Sequence, residues 1–318
     1  MSTSESNILN GADSLAIDTA VRALKSDLLV AIPTETVYGL AARASSPNAV
    51  KKIFTIKGRP TEHPLILHIA KTQDLTLWSS DLPSAAHALA AKYWPGPLTL
   101  VVRRNNKVCD EITGGRDTVA IRCPSHPITT ELLIRLDDAI VAPSANRFGK
   151  VSPTSARHVA EDFGDEVIVI LDGGECSIGV ESTIIDCTTS PPQILRAGAI
   201  TAEQIEIDCG ITVASASGES RASGMLEKHY APNCTVELAS SRKDADLRLA
   251  NLKSVGRLTE ILDFGADLEM YAHDLYSRLR DADRRLVDVV IAVKPAMTGI
   301  GIAINERLKK ASNSASGD

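Results

Sequence analysis

A chain of 318 residues with 44% hydrophobic and 23% charged residues is long enough for a large core and predicts two domains rather than one. A net charge of -6 and an aromatic content of only 3% argue against binding nucleic acid through overall charge or many stacked bases, so an anionic ligand has to be met by a local basic cavity. No apolar run approaches the ~20 residues of a membrane helix, the first residues lack the basic and apolar regions of a leader, and the six cysteines form no C-x-x-C pair; a cytoplasmic protein with idle thiols is predicted.

Ile17, Val21 and Leu24 lie at helical spacing, and Leu28 to Ile32 reads as a buried strand. Thr34, Glu35, Thr36 and Tyr38 then cluster before Gly39, a density of hydroxyls that suits either a capped turn or a small polar ligand. Ser46-Pro47 starts a helix with Val50, Ile53 and Phe54 inward, and Gly58 and Pro60 stop it. Lys57 and Arg59 flank that terminating glycine, where they either suit the negative end of the helix dipole or reach into a cavity. In the strand from Leu65 to Ala70, alternation puts Ile66 and His68 on one face and Leu65, Leu67 and Ile69 on the other. His68 is then a core residue or a ligand group.

Pro83 to Tyr93 reads as a helix, WPGP at 94–97 as a rigid turn, and Leu98 to Arg103 as a strand. Thr118 to Arg122 is a strand closing on an arginine, which needs either a protein carboxylate or a substrate carboxylate. A helix over 126–137 and a strand from Ala139 to Ala142 lead into Pro143-Ser144-Ala145-Asn146, small polar groups that suit a phosphate or a plain loop. Ser152-Pro153-Thr154 is read as the next helix start, with free N–H groups for a phosphate. Strands follow at Val167 to Leu171, Ser182 to Asp186 and Gln193 to Arg196, so a mixed twisted sheet covered by helices is expected.

Small polar residues from Ile211 to Ser223 mark a linker. Past His229-Tyr230-Ala231-Pro232, a striped helix at Leu268 to Leu279, a strand at Val287 to Val293 and a helix at Gly301 to Lys310 predict a small α/β module, with no second clear strand between Val236 and Asp267. The expected organisation is 1–210, a linker over 211–232 and a C-terminal domain over 233–318. Gly299-Ile300-Gly301 is no dinucleotide fingerprint, because Ile304 stands where the third glycine belongs. The polar groups at strand ends are cationic, hydroxyl or amide, with one histidine and no paired carboxylates, a set that suits a polyanion beside a small zwitterion.

PTETVYGL, the K-x-R at 57–59, HPLILHIA, WPGPLT, DTVAIR, the S-x-N at 144–146, SPT, GVESTI, ILR-x-G and HYAP, in this order, closely resemble the YrdC family in its long form, the threonylcarbamoyl-AMP synthases with an extra C-terminal domain. The resemblance implies a twisted open α/β sheet around a deep basic cavity, with a small Rossmann-like α/β domain behind it. The implied reaction joins L-threonine, bicarbonate and ATP into threonylcarbamoyl-AMP and pyrophosphate, for the threonylcarbamoyladenosine modification of transfer RNA. By the same resemblance Thr34, His68, Arg122, Ala142 and Ser182 bind L-threonine. Lys57, Arg59, Thr61, Thr118, Ser144, Asn146, Ser152, Arg196 and Tyr230 bind ATP, with Lys57 and Arg59 catalytic and Tyr230 as a lid. Mg²⁺ rides on the ATP phosphates. The product passes to the transfer-RNA threonylcarbamoyl machinery; neither a membrane nor stable DNA binding is expected. The hinge reads Ala222-Ser223-Gly224-Met225 where the family usually has S-P-G-M. The rival readings are a relative that uses carbamoyl-adenylate chemistry in another pathway and a non-catalytic RNA-binding module of the same fold.

Overall fold

Twenty-five strands and α-helices follow one another in the computed structural model, which describes residues 7–215 and 230–312. In order they are β1 Ile8–Asn10, α1 Ser14–Lys25, β2 Val30–Ile32, β3 Gly39–Arg43, α2 Pro47–Lys57, β4 Ile66–His68, β5 Ser79–Asp81, α3 Ser84–Tyr93 and β6 Leu98–Arg104. Next come α4 Asp110–Thr113, β7 Thr118–Arg122, α5 Pro127–Leu136, β8 Ile140–Val141, α6 Ala156–Phe163, β9 Val169–Asp172, β10 Thr183–Asp186, β11 Gln193–Arg196, α7 Ala202–Cys209 and β12 Ala214–Ser215. The last are β13 Thr235–Ala239, α8 Arg242–Ser254, β14 Thr259–Leu262, α9 Leu268–Arg284, β15 Val289–Val293 and α10 Gly301–Ser312. None of these helices is long and apolar enough to cross a membrane.

The first nineteen elements build a twelve-stranded mixed sheet in the order β1-β9-β2-β3-β8-β4-β7-β6-β10-β11-β12, with β5 hung on β6. Local chemistry explains the helix that feeds its centre. Ser46 caps α2 by accepting from the Ala49 amide, Pro47 occupies its first turn, and Gly58 ends it at φ 64°, a left-handed conformation that glycine adopts freely. The period-two alternation of β4 sends Leu65, Leu67 and Ile69 into the main core, with Leu40 from β3, Ile53 from α2 and Leu100 from β6. α1 and α5 seal the other face, where Leu24, Leu132 and Leu133 pack on Ile32 and Ile140. Residues 214–215, within the stretch read as linker, extend the large sheet by pairing in parallel with β11. The hinge at 222–225 and His229 lie outside the described residues.

The C-terminal α/β domain is a wholly parallel three-stranded sheet in the order β13-β15-β14. Successive residues of β15 serve opposite faces: Val290 and Ala292 meet α9 and α10 through Leu275, Ile304 and Leu308, while Val289 and Ile291 meet α8 through Ala245. The expectation of no second clear strand between Val236 and Asp267 is therefore corrected by β13, which overlaps that range, and by β14. Its four residues, TEIL, carry a glutamate on an edge strand, which leaves too short an apolar signal to read in isolation.

The two units are packed tightly together. Gly179, at φ 84°, lies so near α9 that a Cβ there would stand 2.4 Å from the carbonyl oxygens of Ala272 and His273. Val37, Val151 and Val180 of the first unit share one apolar cluster with Tyr271, Tyr276 and Leu279 of the second. Arg280 on α9 reaches across to Asp162 at 2.7 Å.

Candidate active site

One row of register partners crosses five strands. His68 on β4 pairs with Arg122 on β7, Arg122 with Thr99 on β6, Thr99 with Ile184 on β10, and Ile184 with Arg196 on β11. Partners in register project to the same face, so the sheet itself places a histidine, a threonine and two arginines side by side. The loop after β2 adds Thr34 and Thr36, the end of α2 adds Arg59, the loop after β8 adds Ser144, and Glu181-Ser182 arrives at the start of β10. With Ala142 and Tyr230 these groups, Thr99 excepted, line a cavity.

The enclosed volume is about 50 Å³, space for a water or two and far below the several hundred Å³ of a site that holds a drug-sized ligand. Tyr230, 1% exposed and held at φ 63°, forms part of the cavity wall.

His68 is 2% exposed and its Nδ1 lies 3.1 Å from the Ile66 carbonyl oxygen. A carbonyl can only accept, so Nδ1 carries the proton and Nε2 is the acceptor. Burial, with the Arg122 charge nearby, pushes the imidazole down to about 3, so it is neutral at physiological pH. Arg122 answers the question left open by the sequence with a protein carboxylate: Nη2 meets Glu35 Oε1 at 2.9 Å, Nη1 donates to Thr36 Oγ1 at 2.8 Å and Nε to the Gly96 carbonyl at 3.3 Å. The guanidinium is thus braced by protein groups while it still lines the cavity. Each terminal nitrogen keeps one further N–H. Thr34 Oγ1 donates to the Val37 carbonyl at 2.7 Å and lies 2.9 Å from Thr36 Oγ1, so it is oriented before any ligand arrives.

Arg196 donates from Nε to the Ser182 carbonyl and from Nη2 to the Ser182 hydroxyl, both at 3.0 Å, and Ser182 Oγ also sits 2.7 Å from Thr99 Oγ1. Burial is the main reason the Arg59 and Arg196 guanidinium groups are less basic than usual, Arg59 falling to about 10. A dianionic or polyanionic ligand would relieve that cost. Glu181 is the only carboxylate lining the cavity among the described residues, and its oxygens accept from Ser152 Oγ at 2.7 Å, Tyr276 OH at 2.9 Å and Arg307 Nε at 3.1 Å. Burial would raise its pKa, yet the charges of Arg307 and Arg196 outweigh that and hold it down to about 2.

Nine of the residues singled out from sequence line the cavity: Thr34, Arg59, His68, Arg122, Ala142, Ser144, Ser182, Arg196 and Tyr230. Five do not. Lys57 is 3% exposed and its Nζ donates to the carbonyl oxygens of Ser144, at 2.6 Å, and Asn146. Its ammonium is pushed well below the ordinary range by burial and then by Arg59. Lys57 thus lies behind the cavity wall in this structure, tying the 144–146 loop. Asn146 donates to the carbonyls of Arg147 and Lys150, and Ser152 to Glu181, so both brace the wall from behind. The helix expected at Ser152 starts at Ala156, capped by Ser155, so no helix N-terminus stands at Ser152. Thr61 is exposed in the turn after Arg59. Thr118 begins β7, roughly 13 Å along the strand from Arg122.

Thr99 and Glu181 escaped the sequence reading as site residues, and Glu35 and Thr36 were read only as part of a polar cluster, although all four stand inside quoted motifs, PTETVYGL, WPGPLT and GVESTI. Arg307 and Tyr276 carry no local signal. They belong to helix stripes whose destination is set only by the packing of the two units.

The family described as Telomere recombination matches residues 22–198, and the Threonylcarbamoyl-AMP synthase, C-terminal domain, matches residues 200–313. The chain belongs to this two-part family of proteins. A threonylcarbamoyl-AMP synthase of Pyrococcus abyssi is 41% identical over 96% of each chain, and one of Bacillus subtilis is 39% identical over 92% of this chain and 91% of its own. The crystal structure of Pyrococcus abyssi Sua5 complexed with L-threonine superposes with a TM-score of 0.90 at 41% identity, covering 96% of this chain and 97% of the other.

Proposed function

We propose that this chain is a threonylcarbamoyl-AMP synthase, which joins L-threonine, bicarbonate and ATP and releases pyrophosphate. The likeness to named synthases along nearly the whole of both chains carries this reading. The cavity agrees with it: buried arginines suited to a polyanion stand beside a hydroxyl-lined recess suited to a small zwitterion.

We assign the amino-acid side to Thr34, His68, Arg122, Ser182 and the Ala142 backbone. Neutral His68 offers Nε2 as an acceptor to a substrate N–H or O–H, and Arg122 offers its remaining N–H groups to the carboxylate. The nucleotide side falls to Arg59, Ser144, Arg196 and Tyr230, with Lys57, Asn146 and Ser152 as the frame behind them. Threonine's amine and bicarbonate give a carbamate and water. A carbamate oxygen then attacks the α-phosphorus of ATP, the bond to the β-phosphate oxygen breaks, and pyrophosphate leaves with the electron pair. Arg59 and Arg196 offset the charge that builds on the departing phosphates.

The donor set fits Mg²⁺ carried in on the triphosphate. The single lining carboxylate is engaged by Ser152, Tyr276 and Arg307, and no group of three His, Cys, Asp or Glu is placed to hold a metal among the described residues. The free space is small, and withdrawal of Tyr230 to admit the substrates is part of the same proposal. Hand-over of the product to a transfer-RNA modifying machinery in the cytoplasm belongs to the same proposal. The decisive assay is pyrophosphate release, expected only when L-threonine, bicarbonate and ATP are all present. Release that persists without threonine would overturn the reading.

A further inference from the structure

Arg307 lies on α10, in the C-terminal domain, yet its guanidinium is buried against the wall of the other unit's cavity. Its side chain is 1% exposed and meets Glu181, itself 7% exposed, at 3.1 Å. The same guanidinium carbon stands 5.6 Å from the centre of the Tyr230 ring, which stacks on Tyr276 at 5.5 Å. α10 is anchored in its own domain by Ile304 and Leu308, so this arginine is delivered by a rigid element.

We propose that Arg307 is a positioning residue which takes up the charge of Glu181, so that Arg196 stays on the cavity wall to face the nucleotide. Among the described residues Glu181 is the one carboxylate lining the cavity, whose other polar walls are cations, hydroxyls and the neutral His68. A lone carboxylate there would repel an incoming triphosphate and would draw Arg196, a second cation acting on it, away from the Ser182 hydroxyl that it holds at 3.0 Å. Arg307 answers this charge from behind, together with Tyr276 and Ser152. The low pKa of Glu181 fits a carboxylate that stays ionised and fully paired. The C-terminal domain thereby sets the charge balance of a site built on the large sheet. This inference rests on the assignment of the Arg196 side to the nucleotide.

Calorimetric titration with Mg·ATP and, separately, with L-threonine tests it on wild type, Arg307→Met, Arg307→Met with Glu181→Gln, and Arg196→Met. Arg307→Met is expected to weaken ATP binding about 30-fold or more, the scale of stripping one partner from a buried charge pair, while threonine binding changes less than about 3-fold. Adding Glu181→Gln should return ATP binding to within about 3-fold of wild type, because neutralising the carboxylate removes the need for its partner. Unchanged ATP binding in Arg307→Met, or a double variant as weak as the single, overturns the inference. Should Arg307→Met fail to fold, the double variant decides alone: near-normal ATP binding supports the inference and its loss overturns it. Arg196→Met separates the two possible failures. If it binds ATP normally, the nucleotide assignment has failed; if it loses ATP binding while Arg307→Met keeps it, only the role of Arg307 has failed.

Discussion

Arg122 and Glu35 meet at 2.9 Å with side chains only 4% and 9% exposed, so the arginine that closes β7 is matched by a carboxylate from the loop after β2. Removing one partner of such a pair leaves an uncompensated buried charge. Arg122→Met should lower the unfolding free energy by about 3–5 kcal/mol in urea titration, and adding Glu35→Gln should recover part of that loss. The acid side follows from the same pair. Burial raises the Glu35 pKa, the Arg122 charge outweighs it, and the net shift is downward. This stabilisation is therefore complete above the unfolded carboxylate value and fades as pH falls through the lower folded value. Melting curves from pH 6 to pH 3 should show the fade in wild type and less of it in Glu35→Gln.

His68 loses stability in the same direction for a different reason, since here folding favours the neutral form. Its folded value near 3 lies below that of an unfolded imidazole, so at intermediate pH the unfolded chain binds a proton that the folded chain refuses. Stability should fall as pH drops below about 6.5, at roughly 1.4 kcal/mol per pH unit from this residue. Nitrogen-15 spectra should report a neutral ring protonated at Nδ1 at pH 5. A ring that titrates near 6.5 in the folded protein would refute the assignment.

Lys57 is expected to fail through structure. Lys57→Met removes the donor that ties the Ser144 and Asn146 carbonyls, leaving acceptors buried and unmet at a cost of about 1–3 kcal/mol. The melting temperature should drop together with activity. Full stability with only the Michaelis constant for ATP raised would instead place the ammonium directly on the nucleotide.

Gly179 tests the seam between the two units. Gly179→Ala forces a methyl group into the Ala272 and His273 carbonyls and strains a left-handed backbone. A loss of about 2 kcal/mol or more is expected, with faster protease cleavage at the seam than in wild type. Unchanged protease resistance would mean that α9 can move aside.

What the chain discloses about itself depends on how local each signal is. Ser46, Pro47 and Gly58 bound α2 because caps act within a few residues, and the alternation of β4 places His68 on the cavity face. β3 went unread because Gly39–Arg43 is glycine and alanine next to a turn-like cluster, and its strand character comes from pairing with β2 and β8. Seven of the nine lining residues were legible as polar groups at strand and loop ends, Ala142 and Tyr230 coming only from the resemblance, but the partners that fix their chemistry were not. Glu35 with Arg122 and Glu181 with Arg307 are long-range pairs, the latter spanning 126 positions. Lys57 shows the same limit, since a basic helix end looks alike whether it reaches a ligand or two backbone carbonyls.

The edge of the large sheet has a consequence for how the chain is made. β1 pairs in parallel with β9, Ile8 beside Ile170 and Asn10 beside Asp172, and β9 also separates β1 from β2. On a ribosome adding about 5–20 residues per second, the first strand waits roughly 10–30 s for its only neighbour to emerge. Throughout that interval β2 lacks a partner on its outer side, and α1 has no finished surface to cover. Closure of this edge thus waits until about half of the chain has been made, and shielding of nascent Ile8 and Leu9 until then falls to whatever binds the chain as it leaves the ribosome.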